Sequence, residues 1–216
     1  TKLNNKLELI QEFIKDRMQE VERCSVSSSE AHKLANLISK LMMQSCRLTV
    51  SESLLPVEMP KQLKALISVG LLNRQNGQIS FRHQVLFDYQ IGFSLYQTAM
   101  LSVENLLDAI GSREEQTLMK REQLKYAMNL LLQMNQESFC NCVNAILFTD
   151  DIRFHLKHLV LYCIKDILVY PTGIEPVISG FGNRTAIEIL QNMNPEVVNP
   201  WNLKIGMILK YKKKEP

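Results

Sequence analysis

The chain has 216 residues, of which 46% are hydrophobic and 22% charged, with a net charge of +3. That length allows one large domain or two small ones and enough apolar material for a real core. The positive excess is too small to argue for nucleic-acid binding, and part of it is the terminal run Lys210-Tyr211-Lys212-Lys213-Lys214, read as a solvated end.

Residues 5–23 carry Leu7, Ile10, Phe13, Ile14, Met18 and Val21 at helical spacing, with charged residues between them. This predicts an amphipathic helix. A polar break from Ser25 to Ser29 follows, and Ser28 or Ser29 is the expected cap of a second helix with Ala31, Leu34, Ala35, Leu37, Ile38, Leu41 and Met42 on its apolar side. Arg47-Leu48-Thr49-Val50 reads as a short strand, and Ser51–Leu55 as a helical turn. Pro60 suits the first turn of a helix over Lys61–Val69, stopped by Gly70. Leu71–Arg74 and Gln78–Phe81 are short extended runs. The Asn76-Gly77 pair between them is the strongest local signal for a β-hairpin. Helical spacing returns from His83 to Met100.

From 101 to about 168 the pattern is helical, with candidates Leu101–Ile110, Arg121–Met134, Gln136–Leu147 and Ile152–Leu168. Helix pairs of this size suggest a solenoid-like, HEAT-like array. From Tyr170 the chain changes again, with Pro171, Gly173, Pro176, Gly180 and Gly182 crowded together. The expected fold is mainly α: a lead-in helix (1–24), a winged-helix domain with a small hairpin wing (25–100), a helical scaffold (101–170) and an irregular tail (171–216).

Catalytic chemistry is sparse. There is no Gly-rich phosphate loop followed by Lys-Ser/Thr, and no Gly-x-Ser-x-Gly elbow. His155 and His158 stand three apart, but no acidic or thiol partner has matching spacing, so they read as surface or packing histidines rather than metal ligands. Asp150-Asp151 reads as the cap of the helix starting at Ile152. The ten methionines read as core filler. The five cysteines, Cys24, Cys46, Cys140, Cys142 and Cys163, are odd in number and irregular in spacing. They read as reduced, mostly packed thiols of a cytoplasmic protein, which has no signal peptide and no membrane span. The start at Thr1 suggests a domain cut from a longer protein whose missing part lies on the N-terminal side. His83 follows the second wing strand and opens the next helix, where an imidazole can meet an anion; composition alone favours a capping or packing role there.

Phe81-Arg82-His83-Gln84-Val85-Leu86-Phe87-Asp88-Tyr89 resembles the F-x-H-Q-x-x-x-D/E-Y signature that ends the winged-helix domain of the STAND class, the signal-transduction ATPases with numerous domains. Bacterial NACHT-type members, many of them antiphage defence proteins, look closest. Leu7–Arg17 is similar to the helix leading into that domain. Asp151–Leu159 resembles an R-x-H-L-K helix of the scaffold behind it. The three stretches cover residues 5 to about 168 in the family's order.

The resemblance implies a regulatory fragment of a nucleotide-switched ATPase. His83 would contact the β-phosphate of ADP held in an upstream nucleotide-binding domain of the same chain, locking the resting state. Exchange of ADP for ATP, with magnesium, would release the winged helix and allow oligomerisation, and the scaffold would link to a sensor. The fragment, lacking Walker A and B motifs, would bind no cofactor and catalyse nothing by itself. Two departures stand out. The family has a small residue shortly after the tyrosine, where this chain has Gln90-Ile91-Gly92. The stretch Thr172–Gly182 is similar to peptides read from the strand opposite a transfer-RNA gene, which implies a tail outside its native reading frame.

The alternative is a winged-helix transcription regulator with a helical ligand or dimerisation domain. The segment in the recognition-helix position, Lys61–Val69, offers two lysines, one glutamine and one serine on a largely apolar helix. Base reading calls for several outward Arg, Asn or Gln side chains, so DNA is not the expected partner.

Overall fold

The computed structural model describes residues 2–169, with side chains from 6 to 163; the expected irregular tail, 171–216, lies outside the described residues. The described chain is mainly helical, with one small antiparallel sheet. Its elements run α1 (Lys2–Arg23), α2 (Ser28–Ser45), β1 (Val50–Ser51), a 3-10 turn (Glu52–Leu54), α3 (Pro60–Ser68), β2 (Leu72–Gln75), β3 (Gln78–Phe81) and α4 (Gln84–Leu101). Then come α5 (Val103–Ile110), α6 (Leu118–Met134), α7 (Gln136–Phe148) and α8 (Phe154–Val169).

α1 buries Leu7, Ile10, Met18 and Val21, one stripe of an otherwise charged helix. It ends at Arg23, and Ser25 just beyond takes the left-handed conformation at φ 60°. The cap of α2 is Ser27, one residue ahead of the expected Ser28 or Ser29, and its side chain makes no capping bond. Ser28 and Ser29 are instead drawn into the first turn, because the Ser27 carbonyl already accepts from Ala31 N at 3.0 Å.

The sheet has the order β1-β3-β2, with Val50 opposite Ile79 and Leu72 opposite Phe81. Asn76 and Gly77 both have positive φ, 51° and 71°, so the hairpin closes on a turn whose twist matches its strands. Pro60 begins α3 as expected, and Gly70 follows its end at φ 75°. α2, α3 and the sheet enclose Leu34, Ile38, Leu66 and Ile79, all fully buried.

Past the sheet, helices alternate between two layers. α4 packs on α6 and α6 on α8, while α5 packs on α7 across from them. Each break is capped locally. Ser102 Oγ accepts from Asn105 N, Thr117 Oγ1 from Lys120 N, and Asn135 Oδ1 from Ser138 N. Those caps move the boundaries. Leu101 ends α4 rather than opening α5, and α6 begins at Leu118 instead of Arg121.

Asp150 and Asp151 do not cap α8, which starts at Phe154. The buried amide of Gln116 does that work from the far side of the layer. Its Oε1 accepts from Arg153 N at 2.7 Å, and its Nε2 donates to Asp151 O at 3.0 Å and Gly111 O at 2.9 Å. A neutral amide with both a donor and an acceptor satisfies this mixed set, which a carboxylate cannot.

α4 belongs to both halves. It packs against α2 and β3 on one side and against α5 and α6 on the other. Its weak amphipathicity follows, since the run Leu86–Gly92 is buried on every side, with polar Asp88 and Gln90 among the buried residues.

Candidate functional site

The stretch Phe81–Tyr89 divides by direction. Phe81 and Phe87 meet with ring centroids 5.9 Å apart, which ties the end of β3 to the first turn of α4. Leu86 and Phe87 are buried and root that turn in the core. Arg82 N donates to Leu71 O at 3.0 Å, extending the hairpin by one residue.

His83 stands at the N-cap of α4 with extended backbone, φ −131° and ψ 133°. Its carbonyl accepts from Leu86 N at 3.0 Å. Its imidazole is exposed and makes no capping bond to its own helix. The first-turn amides of a helix lack partners within the helix and carry the positive end of its dipole. An outward ring beside them is placed to donate to an anion that those amides also favour.

Asp88 and Tyr89 point the other way, into the protein. Asp88 is 7% exposed, and its Oδ1 meets no hydrogen-bond donor among the described residues. Burial, ahead of the nearby Glu122 carboxylate, pushes Asp88 up to about 6; a hydrogen bond from Gln84 and the charge of Lys6 pull the other way. Tyr89 is edge-on to Tyr126 at 5.9 Å. Burial also raises Tyr126, to about 12, helped by the charges of Asp88 and Glu122. The tuned carboxylate was not legible as such in the sequence. The only hint is an acidic residue in a helix whose neighbours Leu86, Phe87, Tyr89 and Ile91 are apolar or aromatic.

On α3, the helix in the expected recognition position, Lys61 and Lys64 are exposed. Leu63, Ala65 and Leu66 of α3 are buried, and Gln62 Nε2 donates to Glu30 Oε2 at 2.8 Å. On the hairpin, Arg74 pairs with Glu52 at 2.7 Å. His155 Nε2 lies 3.4 Å from Thr117 O, and the His158 ring lies 5.8 Å from that of Phe154. Among the described residues no three His, Cys, Asp or Glu side chains gather as a ligand set. Cys24 and Cys46 are exposed, Cys140 is half-buried, and Cys142 and Cys163 are buried. Burial pushes the Cys142 thiol up to about 11, which makes it a poor nucleophile. No described helix is long and apolar enough to cross a membrane. A groove of about 420 Å³ runs between α1 and α2, with Tyr89 in its wall, but His83 does not line it.

Comparison with family models, with curated proteins and with solved structures found no match.

Proposed function

We propose that this chain is the regulatory portion of a STAND-type, nucleotide-switched ATPase. In this reading residues 25–100 are a winged helix and residues 101–170 the start of a HEAT-like scaffold. The order helix, strand, helix, hairpin, with the first strand joined to the third, fits a winged helix. The alternation of α4, α6 and α8 with α5 and α7 fits a helical array.

The observation that carries the proposal is the orientation of His83. Its ring is exposed at the junction between the flanking exposed Arg82 and Gln84, while Phe87, Asp88 and Tyr89 are buried. A ring fixed at a rigid corner can read the β-phosphate of ADP in an upstream domain. Such a contact exists only while the two domains are closed, and a ligand shifts an equilibrium only through contacts that differ between states. The ligand is then the clasp: ADP favours the closed form, and ATP with magnesium favours release and oligomerisation. The DNA-binding alternative is disfavoured by the engagement of Gln62 with Glu30 and of Arg74 with Glu52.

The test is His83→Ala in the protein that carries the nucleotide-binding domain. A hydrogen bond to a charged group contributes about 1.5–3 kcal/mol, so ADP should leave roughly 10- to 100-fold faster. The variant should also oligomerise without its trigger. Unchanged ADP release would refute the role given to His83.

A further inference from the structure

Asp88 lies where α1 and α6 close over the buried side of α4. The groups that act on it come from each of these helices. α6 contributes Glu122, α1 contributes Lys6, and Gln84 lies one turn earlier on α4, while the charge of Asp88 in turn acts on the phenol of Tyr126 on α6. Glu122 also pairs with Arg121 at 2.9 Å and Lys125 at 3.8 Å, which offset part of its charge, so burial is the larger influence on Asp88. Lys6 is exposed and opposes that repulsion only in part. A carboxylate with one oxygen lacking a donor among the described residues is costly to keep charged in a packed interior. The neutral acid removes the repulsion from Glu122 and supplies an O–H donor.

We propose that Asp88 is a proton-operated joint: its carboxyl, when protonated, lets α1 and α6 close firmly on α4, and when ionised loosens that closure. The position matters because α4 is the helix shared by the sheet-bearing half and the helical layers. Mild acidification therefore stiffens the connection between the halves. The direction follows from linkage. A carboxyl raised from 3.8 to about 6 stabilises the fold fully below the lower value and loses that contribution as pH rises through the upper one. The joint does not depend on the nucleotide reading, and its test uses no nucleotide.

Hydrogen exchange of the 216-residue chain, corrected for intrinsic rates, reads the joint directly. Protection of amides in α1 and α6 should rise roughly tenfold on going from about pH 7.5 to about pH 5, since each unit of pKa shift is a tenfold change in the coupled equilibrium. Asp88→Asn should hold the high protection at both values. Glu122→Gln should move the midpoint to lower pH, and it decides the matter if Asp88→Asn folds poorly. Protection of Asp88→Asn at neutral pH no higher than in the parent would overturn the proposal, as would an unmoved midpoint in Glu122→Gln.

Discussion

Gly92 of α4 and Tyr126 of α6 approach so closely that a Cβ on Gly92 would stand 2.5 Å from Tyr126 Cβ. The same atom would lie 2.7 Å from the carbonyl oxygen of Gln123. Both obstacles are close to the α6 backbone, so neither can swing aside. Gly92→Ala should therefore destabilise the chain by about 1–3 kcal/mol, because the two helices must separate to admit one methyl group. Urea unfolding followed by circular dichroism measures this. A midpoint equal to the parent's would mean that the helices part at no cost.

Gln116 supports a second prediction. Its fully buried amide joins Gly111, Asp151 and Arg153 in one bridge. Gln116→Leu keeps much of the bulk and leaves two carbonyls and one N–H without their partner. The expected cost is roughly 1–3 kcal/mol for a first buried group left bare, with the others adding to it. Faster hydrogen exchange should be confined to the loop before α8 and the link before α6. Global unfolding without that local signature would count against the bridge.

Tyr126 gives a prediction at alkaline pH. Its phenol is raised from 10.0 to about 12, first by burial and then by the charges of Asp88 and Glu122. The folded state thus favours the neutral phenol. That contribution is complete below pH 10 and is lost as pH rises through about 12. Ultraviolet titration of the folded chain should show a late-ionising phenol, and Tyr126→Phe should remove it and weaken the alkaline loss of stability. A late phenol that persists in Tyr126→Phe would assign the shift elsewhere.

The hairpin was legible in the sequence because its signal is local: Asn76-Gly77 suits a turn needing two positive φ values. The helices were legible for the same reason, through their apolar spacing. Their ends were less so. Thr117 and Ser102 choose their helix starts by caps that compete with apolar spacing, and the cap of α8 comes from Gln116, distant in sequence. The covered side of α4 was hidden as well. Its apolar spacing runs through Val85, Leu86, Tyr89, Phe93 and Leu95, yet Asp88, Gln90 and Gly92 are buried too. That burial depends on α6, whose approach no short window of sequence contains. At Gly92 a small residue is needed because α6 crosses there. His83 was legible as a position, at the junction of hairpin and helix, while its freedom from its own helix required coordinates.

The double use of α4 limits how the chain can be divided. A cleavage near Ser102 looks harmless, since it falls in a break between helices. It would leave the first product with every residue of the sheet-bearing half and without the cover over Asp88 and Gly92. Leu95 and Ala99, on the same stripe, would then meet water, and the product should be sticky rather than soluble. Recombination that exchanges one half for another meets the same obstacle. A donor segment has to bring a matching α6 with it, so the two halves should be inherited, and swapped, as one piece.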